Sequence, residues 1–340
     1  MLTQLPDKTA WPSQDDAGYI GLPVQTRAWM QARTNLVPAE AIRTFSINCG
    51  EQPAAVAPFV AYQNWLRELP SMFEPSDLIW SSQESLYRLA KKIARQSMPL
   101  QLERIPADSP TIPALRRAYR GRGLVITRPA MPTPVIDLAL KDFETTLTTR
   151  RRSDLRRAER QAHEFGEVRY ELHTPRSAEE LDALMAEALS VEGRSWKVAA
   201  GTSLTTDAVQ GSFFTRFTQA AMNEGHLRIA LMRIDGQAVA MQIACEWNQR
   251  FWLFKISHDQ AFSACSPGQL LIQHTLRQSM ERGLLSYEFM GIKDRWTEHW
   301  TKVQRRYVHL YAIPFNPKTF KMLAKRLAHS AYGRFRRFAR

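Results

Sequence analysis

The sequence predicts an α/β chain built as two halves, each a mixed and mostly antiparallel sheet flanked by helices. Three observations in the second half carry that prediction. Three runs with strand character follow one another across tight-turn signals, a glycine opens a helix directly after the third, and a short apolar, aromatic run follows that helix. The first half repeats this order faintly. At 340 residues and 44% apolar composition the chain has material for one large or two medium cores.

Taken in order, residues 42–48 and 54–62 read as strands around the turn Cys49-Gly50-Glu51-Gln52-Pro53. A short strand at 78–80, a helix at 83–95 and a strand at 100–105 complete the first half. The run Pro129-Ala130-Met131-Pro132-Thr133-Pro134 marks a seam. The expected domains are therefore 1–134, 135–315 and a basic tail, 316–340. After Phe143 and Leu147 comes an arginine cluster (Arg150, Arg151, Arg152, Arg156, Arg157, Arg160). Leu155 and Ala158 continue an apolar stripe through it, so the stretch reads as one long helix stopping at Gly166. Helices at 178–192 and 211–224 precede the legible strands. LRIALMRI at 227–234 turns through Asp235-Gly236 into AVAMQIACEW at 238–247, which turns through Asn248-Gln249 into FWLFKIS at 251–257. The helix opened by Gly268 carries Leu270, Leu271, Leu276 and Met280 and ends at Gly283, a suitable cap. SYEFM at 286–290 then has to be a buried strand parallel to the one before the helix. RYVHLYAI at 306–313 is a further strand.

Charge and composition narrow the company the chain keeps. Lys and Arg number 46 against 33 Asp and Glu, a net charge of +13, which suits an anionic partner without choosing among nucleic acid, phosphorylated cofactor and acidic lipid. The tail from Lys318 to Arg340 interleaves basic residues with Phe320, Leu323, Tyr332, Phe335 and Phe338, as a helix lying on an anionic membrane would. Three scattered cysteines without C-x-x-C spacing argue against a zinc site, and no metal is expected. The first residues lack the basic stub and apolar run of a signal peptide, so a soluble, cytoplasmic protein is expected, peripheral at the inner membrane face if the tail binds lipid.

A glycine opening a helix after a central strand lets backbone N–H groups approach a phosphate, helped by the helix dipole. Gly268, Gln269, Leu270 and Leu271 are the expected donors, behind Ser266 and Pro267. The motifs around them carry a resemblance. Glu192-Gly193-Arg194-Ser195-Trp196-Lys197, Gly201-Thr202-Ser203-Leu204, Lys255-Ile256-Ser257-His258-Asp259, Ser266-Pro267-Gly268-Gln269-Leu270-Leu271, Tyr287-Glu288-Phe289-Met290-Gly291 and Trp296-Thr297-Glu298-His299-Trp300 resemble, in order and spacing, the FemAB-like branch of the GNAT acyltransferases, which includes proteins labelled CelD-like. The likeness spans about residues 135 to 315.

That resemblance implies two GNAT-like domains in tandem, the first degenerate, and an acyl thioester held by the second. It implies acetyl-CoA or a longer acyl-CoA as co-substrate, with the pantetheine arm between strands 251–257 and 286–290 and the pyrophosphate at Gly268. Two positions depart from the family pattern: Thr297 stands where many relatives carry lysine, and Glu288 replaces the commoner aspartate. Acyl transfer to an amine needs a polarised thioester carbonyl and a deprotonated amine. The polarising donor is expected as a backbone N–H among Phe254, Lys255 and Ile256. Glu192, Glu246, His258 and Glu298 are the candidate bases. Trp196, Lys197, Glu288, Trp296 and Trp300 are the expected substrate contacts. The expected function is acyl-CoA-dependent N-acyl transfer to an amine of an envelope, polysaccharide or lipid precursor. Transfer from aminoacyl-tRNA, or a non-catalytic accessory role in envelope polysaccharide synthesis, are the alternatives.

Overall fold

A computed structural model describes residues 21–50, 52–70, 74–139, 143–291 and 294–321. In the first half, α1 (Arg27–Thr34) leads into β1 (Ile42–Cys49), β2 (Gln52–Tyr62), β3 (Trp65–Glu68) and β4 (Ile79–Trp80). Then come α2 (Gln83–Ala94), β5 (Leu100–Pro106), α3 (Thr111–Tyr119) and the long β6 (Gly123–Asp137). The second half runs α4 (Thr149–Phe165), β7 (Val168–His173), α5 (Ala178–Gly193), α6 (Trp196–Ala199), α7 (Ala208–Asn223), β8 (Leu227–Ile234), β9 (Gln237–Trp247) and β10 (Arg250–His258). It closes with α8 (Pro267–Glu281), β11 (Ser286–Phe289), α9 (Arg295–Glu298) and β12 (Gln304–Pro314).

The strands form one continuous mixed sheet in the order β1-β2-β3-β5-β12-β6-β11-β10-β9-β8-β7, with β4 beside β2. Each half has one parallel pair, β3 with β5 and β10 with β11, and antiparallel neighbours elsewhere. The halves exchange their last strands. β12 belongs to the second half by sequence yet pairs with β5, while β6 follows the first half yet ends beside β11. Between them β6 and β12 pair from Gly123↔Pro314 to Pro134↔Gln304.

This arrangement corrects the proline-rich seam: Pro129 to Pro134 is strand, not linker, and the 134/135 cut falls inside β6. The prolines are tolerated because β6 ladders to β11 only through Val135–Asp137. Upstream, that edge needs no N–H donors. Sequence reading also passed over α1, β3, α3 and β7. β3 and α1 are too short for a clear period, and the Arg169 and Glu171 side chains dilute β7.

Apolar side chains collect on both faces of the sheet. On one face of the second half, α5 and α7 pack with α1, whose Trp29 meets Phe213 edge-on at 4.7 Å and stacks on Phe254 at 4.9 Å. A fully buried aromatic of this kind stabilises by about 1.5–3 kcal/mol. On the other face lie α4 and α8, with Leu155, Leu271, Leu276 and Tyr287. In the first half α2 and α3 cover Leu100, Leu102 and Leu310. Helix α4 starts at the Thr148 cap, whose side chain accepts from Arg151 N, and stops at Gly166 as its stripe predicts. No helix among the described residues is long and apolar enough to cross a membrane. The tail from 322 onward lies outside the described residues.

One buried ion cluster ties the exchanged strands together. The Glu288 carboxylate on β11, 1% exposed, accepts from Ser286 Oγ at 2.7 Å and from Arg305 Nη2 on β12 at 2.5 Å, with Arg250 Nη1 on β10 at 3.5 Å. Removing it leaves two arginines facing apolar strand. Glu288→Ala should cost about 2–3 kcal/mol in urea unfolding, less than a fully buried pair because both arginines keep partial solvent contact. A loss below about 1 kcal/mol would mean that the cluster does not hold β12 in place.

Candidate active site

β10 and β11 are paired from Arg250↔Ser286 to Leu253↔Phe289, and Met290 N–H closes the ladder on the Leu253 carbonyl at 3.2 Å. Beyond that point β10 continues to His258 while β11 has ended. The register of β10 on β9 slips between Leu253 and Lys255, a bulge at Phe254. Regular alternation would put Lys255 on the α8 face with Leu253. The extra residue instead leaves both Phe254 and Lys255 on the α7 face: Phe254 packs against Trp29 and Phe217, and Lys255 lies 5.3 Å from the Phe214 ring and bonds Gln210 Oε1. Ile256 returns to the α8 face.

The Glu192–Lys197 segment clamps over this part of β10. Glu192 is fully buried; its Oε2 accepts from Leu204 N at 2.7 Å and its Oε1 lies 3.4 Å from Lys197 Nζ. Lys197 Nζ also donates to the Ile256 carbonyl at 2.5 Å. Ser195 caps the short α6, and Arg194 Nε pairs with Asp259 Oδ2 at 2.5 Å, tying the corner to the end of β10. Burial lowers the pKa of Lys197. Burial, and then the charge of Lys197, lower that of Lys255. Two ammonium groups thus lie close together in poorly solvated surroundings, Lys197 paired with Glu192 and Lys255 on Gln210, a mark of a functional site.

The first turn of α8 is open. Ser266 takes the left-handed conformation (φ 49, ψ 51), unusual for a capping residue, and makes no side-chain cap. Gln269 and Leu270 N–H both turn back to the Ser266 carbonyl, at 2.9 and 3.3 Å. Leu270 and Leu271 are core residues. Of the four expected donors, Gly268 N–H is therefore the one left without an acceptor among the described residues. A methyl group at 268 would meet His258 Nδ1 at 3.6 Å and Ile256 Cδ1 at 3.8 Å, so β10 and the head of α8 are neighbours. Burial, and after it the charge of Lys197, lower the His258 pKa, so its imidazole is neutral at pH 7. Gln269 Oε1 accepts from Trp300 Nε1 at 2.9 Å and from Arg151 Nη2, and the Arg151 guanidinium lies 4.5 Å over the Trp300 ring. Arg151 is thereby set at the head of α8, a placement that the arginine run alone did not reveal.

The structure brings Lys197, Lys255, His258, Phe254, Ile256 and Gly268 together with Glu192. It does not bring all the expected residues there. Glu246 pairs across from Phe251, about 20 Å along β10 from His258 at the strand's rise, and it is held by Arg228 and Arg282 at 2.8 Å each. Glu192 is an anchor for Lys197 rather than an open base. Both oxygens of Glu288 face Ser286 and the two arginines, so it is a strand tie. Glu298 lines a cavity of 350 Å³ with Asp137, Thr148, Trp300 and Lys302 near the start of α4. Trp300 is 3% exposed and Trp296 packs edge-on to Phe289 at 5.6 Å, whereas Trp196 is 54% exposed beside Lys197. Thr297 is buried, its hydroxyl donating to the Asp294 carbonyl within the α9 turn. Gln210 was missed, since a helix surface glutamine carries no sequence signal.

Residues 149–300 match the family model described as an acetyltransferase (GNAT) domain. No curated protein matches the chain. Among solved structures, FemX is similar at TM-score 0.56 and 12% identity, over 90% of this chain and 96% of that one. The C-terminal domain of a putative lysylphosphatidylglycerol synthetase from Agrobacterium fabrum gives TM-score 0.54 at 11% identity, over 88% and 91%. L-PGS from Bacillus licheniformis gives 0.51 at 13% identity, over 83% and 87%. At these identities the structures show a shared fold. The family match begins at α4 and ends at Trp300, enclosing the bulged strand, the open helix and the lysine pair, so residues 149–300 are similar to the acetyltransferase domains of the GNAT family and carry the site just described.

Proposed function

We propose that the chain transfers an acyl group from acyl-CoA to an amine of an envelope, polysaccharide or lipid precursor. The observation that carries this reading is the parting of β10 from β11 beyond Leu253, directly above an uncapped α8 whose Gly268 N–H has no acceptor among the described residues. In this reading Gly268 N–H, the α8 dipole and Arg151 hold the pyrophosphate. A backbone N–H at the Phe254 bulge polarises the thioester carbonyl, which develops negative charge as the amine attacks. The nearby ammonium groups of Lys255 and Lys197 favour that charge. His258, being neutral, can donate to a phosphate oxygen or accept a proton through one water. A positively charged cleft also suits an acceptor that carries acid groups beside its amine.

A second reading rests on α4. Arg150, Arg156, Arg157 and Arg160 are exposed on the helix whose Arg151 reaches the head of α8. Such a strip would serve an aminoacyl-tRNA donor, whose binding is largely phosphate neutralisation.

Thermal unfolding with CoA and acyl-CoA tests the first reading. A ligand at a hundredfold excess over Kd adds about 2.7 kcal/mol to stability. Gly268→Ala should keep the midpoint rise, because a methyl meets only ordinary contacts. Gly268→Trp, which must displace His258 and Ile256, should lose it. An undiminished rise in Gly268→Trp would place the donor elsewhere.

Ionic strength separates the donors. If tRNA is the donor, turnover should fall by about 10³-fold or more between 50 and 200 mM salt and become less steep when the α4 arginines are replaced by glutamine. A shallow response with acyl-CoA supports the first reading.

Lys255→Met removes one of two neighbouring, half-buried lysines. Its midpoint should hold or rise while acyl transfer falls by about 10- to 100-fold. Loss of stability with unchanged specific activity would make Lys255 a structural residue.

A further inference from the structure

Arg104 has no counterpart in the chemistry described so far. It lies on β5, where Glu103 and Arg104 together face the single His309 of β12, between the pairs Leu102↔Leu310 and Ile105↔Val308. That is a bulge, and Arg104 adopts φ +52, a left-handed conformation in the middle of a strand. Its residue surface is 7% exposed, and all three guanidinium nitrogens are buried without a hydrogen-bond partner. The neighbouring His309 Nδ1 is likewise buried and unpartnered. The guanidinium lies 5.5 Å over the Tyr307 ring, and Tyr307 OH is 3.4 Å from Thr133 Oγ1.

A guanidinium presents five donors in a planar fork and is rarely buried without an anion. Here none of them is used, and the strained backbone holds the group in place. The position matters as much as the chemistry. Arg104 and Tyr307 stand where β5 meets the exchanged β12. The Glu74 carboxylate is within electrostatic reach both of Arg104 and of Lys255 in the second half. Through Glu74 the orphaned fork and the lysine pair are linked electrostatically from one half to the other.

We propose that Arg104 is the receptor for an oxyanion, a carboxylate or phosphate, carried by the acceptor, and that Tyr307 and Thr133 form the wall of this subsite. The proposal rests on the acyl-transfer reading only for the word acceptor. The subsite recognises the anion whatever the second half transfers. It makes the first half, which lacks a glycine at Ser81-Ser82-Gln83 where the second has Gly268, the side that selects the acceptor.

The test is thermal unfolding of the full chain, wild type, Arg104→Met and Arg104→Lys. Each is titrated with inorganic phosphate and with acetate at ionic strength held constant by sodium chloride. Either anion should raise the wild-type midpoint by about 5 °C at a hundredfold excess over Kd, and the anion with the larger rise identifies the oxyanion class. Arg104→Met should lose most of that rise while its midpoint without anion equals or exceeds that of wild type, since a buried guanidinium that makes no hydrogen bond has been removed. Arg104→Lys, a point charge on a flexible stem, should keep part of the rise. Equal rises in wild type and Arg104→Met, no rise in wild type, or an Arg104→Met midpoint well below wild type would each overturn the proposal. The rise with CoA reports the head of α8 separately. Its absence from all three proteins would remove the acyl-CoA reading and leave the Arg104 result to stand or fall alone.

Discussion

The pairing of β6 with β12 is the constraint on which the molecule depends. Each of these strands leaves its own half and inserts beside the last strand of the other, so neither half has a complete sheet without its partner. Two sheets joined by a linker could rock against each other. Two sheets sharing a central ladder of ten residue pairs cannot do so without breaking it. Glu288 reinforces the same seam from the side, through Arg305 on β12 and Arg250 on β10. The packing of Trp29 from α1 into the second-half core adds a further tie. The two halves are thereby held in one fixed relation.

Within that frame the second half departs from regularity at two places, and both departures face the cleft. The bulge at Phe254 turns Lys255 toward α7 and leaves β10 unpaired on the side where β11 has ended. The left-handed Ser266 starts α8 without a cap. Other helices are capped, with Thr26, Ser82, Thr148, Ser177 and Asp207 accepting from their first turns, while α3, behind Pro110, is not. At α8 the uncapped terminus stands above an unladdered strand, which concentrates unsatisfied donors in one spot. Donors of that kind stabilise a bound anion or a developing oxyanion without having to reorganise. The clustering of lysines around Glu192 follows the same logic, since crowded like charges cost stability unless a ligand brings the counter-charge.

The resemblance motifs divide accordingly. Glu192, Arg194 and Ser195 are construction: they bond Leu204, Asp259, Lys197 and each other, and so hold α6 over β10. Lys197, Lys255, His258 and Gly268 are what that construction presents. Glu288, Thr297 and Trp300 maintain strands and turns. A motif read in sequence does not distinguish the side chain that does chemistry from the one that positions it, because both are restricted in type.

Local signals determined much of this protein. Tight-turn pairs such as Asp235-Gly236, alternation in β8 to β10, the apolar stripe of α8 and its Gly283 end are properties of a few neighbouring residues, and the elements form where those signals lie. The parallel placement of β11 followed from the crossover helix before it. Other features depended on partners distant in sequence. The proline-rich stretch became strand because β12, some 170 residues later, ladders to one edge of β6 while the other edge is largely left open. Lys255 turned to α7 because one bulge residue broke an alternation that the sequence displays as regular. Glu246 and Glu288 are chemically as good as any carboxylate, and only the arrival of arginines from other strands made them ties. Arg104 reads as an ordinary charged residue on an alternating strand. Its burial without a hydrogen-bond partner arises where β5 meets the exchanged β12, which no local pattern encodes.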